Sequence, residues 1–268
     1  MTAQRLGRVT AKYLAFARAA GRRARAQRWS LLGRTVFIGI VLFVFSRIWA
    51  AIGPRDGLPG IGPRDLIWYL ALTEWPVLSV PQAFLAIEAD VRSGDVAVRL
   101  VRPVAYVGAH LAEAAGETAT RLVFVGSSAF TFAYFIAGGL PADPRGLLLA
   151  LPLVLLACVL LLLSVTAIGV TSFWVVDSMP FFWIWQKLMF VLGGLLFPLE
   201  LYPEWLQRVA RATPFPYMCW GPGSMAFGFA PGRALVNAAG GLAWAAALAA
   251  GLVALSRGAR ARLSVNGG

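Results

Sequence analysis

The chain has 268 residues, of which 59% are hydrophobic and only 13% charged, and its mean hydropathy is +0.72. A soluble domain carries about 25% charged residues, so this chain could not cover its own surface in water, and composition makes it an all-α integral membrane protein with one membrane domain. The net charge of +12 gathers ahead of the first long apolar run, in Arg5, Arg8, Lys12, Arg18, Arg22, Arg23, Arg25, Arg28 and Arg34. That placement marks a cytoplasmic N-terminus and accounts for the charge without nucleic acid as a partner.

Lys12 and Lys187 are the only lysines among the basic residues, a usage that fits a GC-rich bacterial genome. The first 30 or so residues lack a compact apolar run followed by a small-residue cleavage site, so no cleavable signal peptide is expected. Instead Leu6, Val9, Tyr13, Phe16 and Ala20 recur at intervals of 3, 4, 3 and 4. This spacing predicts an amphipathic helix with arginines around one apolar stripe. Such a helix lies in the membrane interface with its arginines near anionic headgroups.

A crossing helix needs ~20 mostly apolar residues, and six stretches qualify, at about 31–52, 66–87, 120–139, 146–172, 180–200 and 234–256. An even number returns the chain to its starting side. Arg257, Arg260 and Arg262 follow the last stretch, so the tail at 257–268 is also expected in the cytoplasm.

The second stretch, LIWYLALTEWPVLSV at 66–80, holds Thr73, Glu74 and Pro76. A central acid costs about 2.5–3.5 kcal/mol on insertion scales, while the ten Leu, Ile, Val and Phe residues of 66–87 contribute roughly −5 kcal/mol. Insertion therefore tolerates Glu74, provided that it faces protein or water. Pro76 and Pro81 each remove a backbone donor and bend the helix near the acid. Thr73 and Glu74 either make a polar contact or line a translocation path at an interface between two such subunits. The competing reading places Glu74 near the outer end of the span, within reach of interface water.

The longest charged insertion follows, IEADVRSGDVAVRLVRPVAY at 87–106. Ser93 is placed to cap a short helix, Asp95 and Arg99 form an i,i+4 pair, and Pro103 ends the helix near Val101. The product is a charged cytoplasmic helix of about two turns between two spans, suited to a groove on another protein. A solvated loop is the plainer reading. His110, Glu113, Glu117 and Arg121 then share one helical face, with Glu117 and Arg121 able to pair. His110, the only histidine, offers a proton relay as one reading; the plainer one is that these charges line a cytoplasmic extension of the third span, which meets the bilayer near Leu122.

The fourth span starts after PADPRG, where Asp143 can cap and Pro144 takes the first position. The fifth starts after DSMP, with Asp177 or Ser178 as cap and Pro180 in the first turn. Gly193 and Gly194 mark either close helix contact or a kink. Cys158 falls mid-span and Cys219 in the next loop, with no ligand cluster for a metal and no disulfide expected.

Residues 197–233 are broken by Pro198, Pro203, Pro214, Pro216, Pro222 and Pro231. PEWLQRVARA reads as a short amphipathic helix with Trp205, Leu206 and Val209 on its apolar side. The segment is too broken to span and too apolar for free solution, so short re-entrant or interfacial helices on the outer side are expected. Tyr202, Trp205, Tyr217 and Trp220 suit headgroup level. The last span, rich in Ala and Gly, suits a closely packed or dimeric position.

Three stretches, WYLALTE at 68–74, IEADVRSGDVAVRLVRPV at 87–104 and FPLELYPEWLQRVARATPFPY at 197–217, together resemble the permease subunits of bacterial type-2 ABC exporters. Their order and spacing extend the resemblance over nearly the whole chain. It implies six spans in a single permease domain over 1–268, with residues 1–30 as a connector helix and 31–256 as the bundle. It also implies a coupling helix carrying Glu88, Asp90, Arg92, Asp95, Arg99 and Arg102, and an outer gate carrying Pro203, Trp205, Pro214 and Tyr217. Partners implied are a cytoplasmic ABC ATPase dimer, a second permease of the same or different sequence, and membrane lipid, in a bacterial cytoplasmic membrane. No cofactor is expected in this chain, since ATP and Mg would sit on the ATPase. The residues agree independently, because no G-x-x-x-x-G-K-[ST] phosphate loop is present and neither lysine follows a glycine.

Two other classes compete. An ion-coupled secondary transporter would show inverted repeats and midplane ion ligands, and no repeat is visible between the halves. A lipid-modifying membrane enzyme would need a catalytic His/Asp/Glu cluster or a metal site, and the chain has one histidine.

Overall fold

A computed structural model of the chain describes residues 3–52, 61–100, 104–175 and 177–266, which are helical with no strand among them. The helices in chain order are α1 Ala3–Ala26, α2 Arg28–Ile52, α3 Pro63–Ser79, α4 Ala83–Ser93, α5 Asp95–Leu100, α6 Tyr106–Ala137, α7 Gly146–Val170, α8 Met179–Leu192, α9 Glu204–Arg211, α10 Phe215–Met218, α11 Trp220–Gly223 and α12 Pro231–Asn266. Among the described residues five helical stretches are long and apolar enough to cross a membrane: Arg28–Ala51, Pro63–Ser93, Tyr106–Ala137, Gly146–Phe173 and Pro231–Ala259.

The fifth expected span, 180–200, departs from this pattern. Its helix, α8, has 14 residues, about 21 Å at 1.5 Å per residue against a hydrocarbon core of ~30 Å. The glycine pair stops it: Gly193 is the C-cap and Gly194 follows at φ +65°, a left-handed conformation that a β-carbon would strain. The apolar residues beyond it turn into the protein, where Leu195 and Leu199 are buried.

Local chemistry accounts for the other helix ends. Pro63 opens α3, and Asp65 accepts from the Gly62 amide at 3.3 Å while holding the Ala142 amide at 2.9 Å. Pro76 is accommodated inside α3, but the helix ends at Ser79. Val80 is extended, and α4 restarts beyond Pro81, so the bend expected near Glu74 is a break one turn further on. Asp143 accepts from the Arg145 amide at 3.2 Å and the Arg145 Nε at 2.9 Å, and also takes the Phe229 amide at 3.1 Å. It thereby ties the turn before α7 to the segment before α12. These contacts hold the Asp143 carboxyl down to about 2, the Arg145 side chain contributing most.

α6 has 32 residues, about 48 Å of helix, so about a third of its length exceeds a hydrocarbon core of ~30 Å. α1 and then α2 follow it along its length. Tyr13 packs on Gly108, Ala17 on Gly116 and Gly21 beside Thr120; then Thr35 reaches Ser128 at 3.0 Å and Gly39 meets Phe132. A β-carbon at Gly116 would come within 1.9 Å of the Ala17 carbonyl, so glycine alone permits this approach. Small residues thus dock α1 on protein, with Ala20 and Ala24 buried, where a helix resting on the membrane interface alone was expected. The side chains of Leu6 and Val9, named in that expectation, lie outside the described residues, as do those of Arg260 and Arg262.

α3 runs against α6, with Trp68 donating to Gly139 at 3.0 Å and Trp75 to Leu122 at 2.8 Å. α12 runs along α7, Gly241 against Leu156 and Gly258 against Trp174. One end of the bundle therefore gathers α4, α5, the start of α6, the 171–179 connection and the last turns of α12. The other end gathers the 137–146 loop and residues 193–230.

Candidate coupling and translocation site

The first site lies at the end of the bundle that holds α4 and α5. α4 ends at Gly94, and α5 follows as a six-residue helix whose first amide meets the Ser93 hydroxyl at 3.4 Å. The short charged helix expected here is thus present. Its outward side carries Asp95 and Val98, the latter 65% exposed, while Val96 is buried and packs toward Ile87 and Tyr106.

Of the six charged residues expected to share this surface, the five described ones divide into two groups. Glu88 and Asp90 are buried. Glu88 accepts from the Ser178 amide at 2.9 Å and from the Ser178 hydroxyl, and pairs with Arg92 at 2.9 Å. The Ser178 side chain is therefore spent on Glu88, and the start of α8 is capped by Asp177, which takes the Met179 amide at 2.9 Å. Asp90 collects three donors on one carboxylate oxygen: Tyr106 Oη at 3.1 Å, His110 Nε2 at 3.0 Å and Arg99 Nε at 3.0 Å. Arg99 was expected to pair with Asp95; it turns back to Asp90, because a buried carboxylate is a stronger acceptor than a solvated one. Arg92 and Asp95 are exposed and Arg99 is half-buried. Arg102 lies outside the described residues.

His110 is almost fully buried, and its partner arrives from α4, twenty residues away. Along the same face Glu113 comes within 3.7 Å of Arg23 in α1, and Glu117 bonds Arg121 as its spacing predicts. The charges of this face are shared between α1, α4 and α6. Tyr106 was not singled out from the sequence and Ser178 was read only as a possible helix cap, since their partners Asp90 and Glu88 lie sixteen and ninety residues away.

Thr73 and Glu74 sit about three turns into α3. The Thr73 hydroxyl bonds the Leu195 carbonyl at 2.9 Å, just beyond the glycine stop of α8, and Tyr69 bonds the Gly194 carbonyl. Thr73 is thus the polar contact, and Glu74 is its opposite. It is 5% exposed, yet among the described residues it accepts no hydrogen bond and forms no ion pair. It lines a cavity of about 490 Å³ bounded by α2, α3, α7, α8 and Leu195–Leu196. The next residue, Trp75, donates from its indole to the Leu122 carbonyl of α6 at 2.8 Å.

The expected outer-gate residues are not one cluster. Pro203 precedes α9, and Trp205 on α9 is 61% exposed. Pro214 precedes α10, while Tyr217 packs its ring on Gly240 of α12. Between them the chain turns inward. Met218, Cys219, Ser224 and Met225 are fully buried, and Gly223 lies against Tyr69 and Thr73. Among the described residues no three His, Cys, Asp or Glu side chains converge to hold a metal, and Cys158 and Cys219 are separate buried thiols.

Residues 76–259 match the family model described as ABC-2 family transporter protein, and no curated protein matches the chain. The matched stretch covers well over half of the sequence. It takes in the α4–α5 element, the long α6 and the inward-turning segment before α12, and it begins two residues after Glu74. With its multiple apolar helices, the chain is a multi-pass membrane protein that belongs to the ABC-2 transporter family.

Proposed function

We propose that this chain is the membrane subunit of an ATP-driven exporter, forming the translocation path and taking its energy from a separate cytoplasmic ATPase dimer through α5. The observation that carries this reading is how α5 is mounted. The helix leads with Asp95 and the exposed Val98, and its base is clamped by Glu88 to the start of α8 and by Asp90 to α6. A push on α5 would pass to α8 through Glu88–Ser178, and from the far end of α8 to Thr73 and Tyr69 through Leu195 and Gly194. The docking face is then Arg92, Asp95, Val98 and Arg99, with Glu88 and Asp90 serving as its internal mounts.

The positive residues of α1 support a cytoplasmic position for the α4–α5 end, and for both termini with it, in a bacterial cytoplasmic membrane. α8 together with residues 193–201 completes a sixth crossing, and residues 202–227 form a re-entrant outer gate over the path. The bundle works beside a second permease, the same chain or another.

A mild-detergent pull-down of the tagged chain from its native membrane, read by mass spectrometry, tests the reading. An ATPase with a phosphate-binding loop, with or without a second permease, is the expected companion. If the protein comes alone under conditions that preserve known complexes, the ATP-driven reading falls, and Glu74 becomes the first residue to examine for ion coupling.

A further inference from the structure

The cavity in front of Glu74 is of ligand size: about 490 Å³, within the ~300–1,000 Å³ typical of small-molecule sites. Its wall is mostly apolar, and Phe45, Trp185 and Phe190 contribute aromatic surface. Into this wall α3 sets a carboxylate that the protein does not satisfy, although most buried polar groups in folded proteins have a partner. The second charge on the wall, Arg34, does not neutralise it. Its guanidinium is bonded at 2.5 Å to the carbonyl of Leu78, one helical turn beyond Glu74, and no ion pair joins the two. Thr73, the neighbour of Glu74, is occupied by Leu195. Arg34 Nε has no partner, and Gln82 and Gln186 also line the cavity, but none of these groups bonds Glu74, and the acid is left facing the cavity.

We infer that this cavity binds a lipophilic cation, with the positive centre against Glu74 and the apolar body among Phe45, Trp185 and Phe190. An unpaired carboxylate in an apolar wall is costly, and a ligand cation removes that cost while aromatic faces add cation–π attraction. A neutral ligand of the same shape gains only the apolar contact, and an anion is repelled. The inference deepens the transporter reading by naming the ligand class of its path, but binding needs neither ATP nor a partner, so the two can fail separately.

The probe is tetraphenylphosphonium, compared with neutral triphenylphosphine oxide and anionic tetraphenylborate, each titrated against the purified full chain in lipid nanodiscs. Saturable binding of the cation, weakened about tenfold or more in Glu74→Gln, is expected, with the variant keeping its elution profile and melting temperature. Equal binding by the neutral and cationic probes, or an unchanged affinity in the variant, overturns the inference. Should the variant fail to fold, the wild-type chain decides by labelling with a hydrophobic carbodiimide and peptide mass spectrometry. Protection of Glu74 by the phosphonium, and not by the phosphine oxide, supports the site; equal labelling with and without the cation contradicts it.

Discussion

Asp90 and Glu74 are both buried acids in the same stretch of chain, sixteen residues apart, and the protein treats them in opposite ways. Asp90 has three donors converging on one oxygen, from α5 and α6. Glu74 has none among the described residues, and faces a cavity. A buried carboxylate that is fully met fixes structure, because removing it strands its partners. One that is left unmet costs stability in the resting chain and is kept for something that arrives later. The difference separates the mount of the coupling element from the lining of the path.

Substitution should separate the two acids most strongly at Asp90. Asp90→Ala strands Tyr106, His110 and Arg99 together and is expected to cost on the order of 3 kcal/mol, read as a lower melting temperature in detergent; a variant as stable as wild type would show that the cluster does not hold the loop. Glu88→Gln keeps the volume but loses the charged acceptor for Ser178, at a cost of about 1–2 kcal/mol. The same variant should loosen α8, giving faster hydrogen exchange over 179–192. Glu74→Gln should behave in the opposite sense, with stability unchanged within about 0.5 kcal/mol or raised, while transport is lost. A clear loss of stability there would reveal a partner and erase the contrast between the acids.

The smallest effect belongs to a half-buried acid, Asp143. Its carboxyl is depressed from 3.8 to about 2 in the folded chain, so its contribution is complete above the ordinary aspartate value and is lost as pH falls through about 2. Wild type and Asp143→Asn should therefore differ slightly in outer-loop hydrogen exchange near neutral pH and converge toward about pH 2. A difference that grows on acidification would contradict the assigned contacts.

Much of the fold was legible because helix ends are written locally. The DSMP start and the long apolar runs each act within a few residues of themselves, whereas α7 starts at Gly146, two residues beyond the Pro144 start expected. The short helix after Ser93 and the Glu117–Arg121 pair were readable for the same reason. What was not legible depends on distant partners. Hydropathy counts Leu195 and Leu199 as membrane-facing, yet both pack inside the protein after the chain turns at Gly194. The spacing of Asp95 and Arg99 favours a local pair, but Asp90 competes for Arg99 from a buried position prepared by Tyr106 and His110. The stripe on α1 reads as lipid-facing until Gly116 supplies a groove for Ala17. Among the expected site residues, Thr73 and Glu74 were found as a polar spot; that one is satisfied and the other left open follows only from where α8 stops.

The claim that α5 is the point at which a separate ATPase drives this chain is tested most directly by a photocrosslinking residue in place of Val98, irradiated in the native membrane and followed by mass spectrometry. Crosslinks to a protein carrying a phosphate-binding loop, lost when Arg92 and Arg99 are both changed to Glu, are the expected result. Crosslinks to lipid alone, or to an ATPase that persists unchanged through those substitutions, would contradict it.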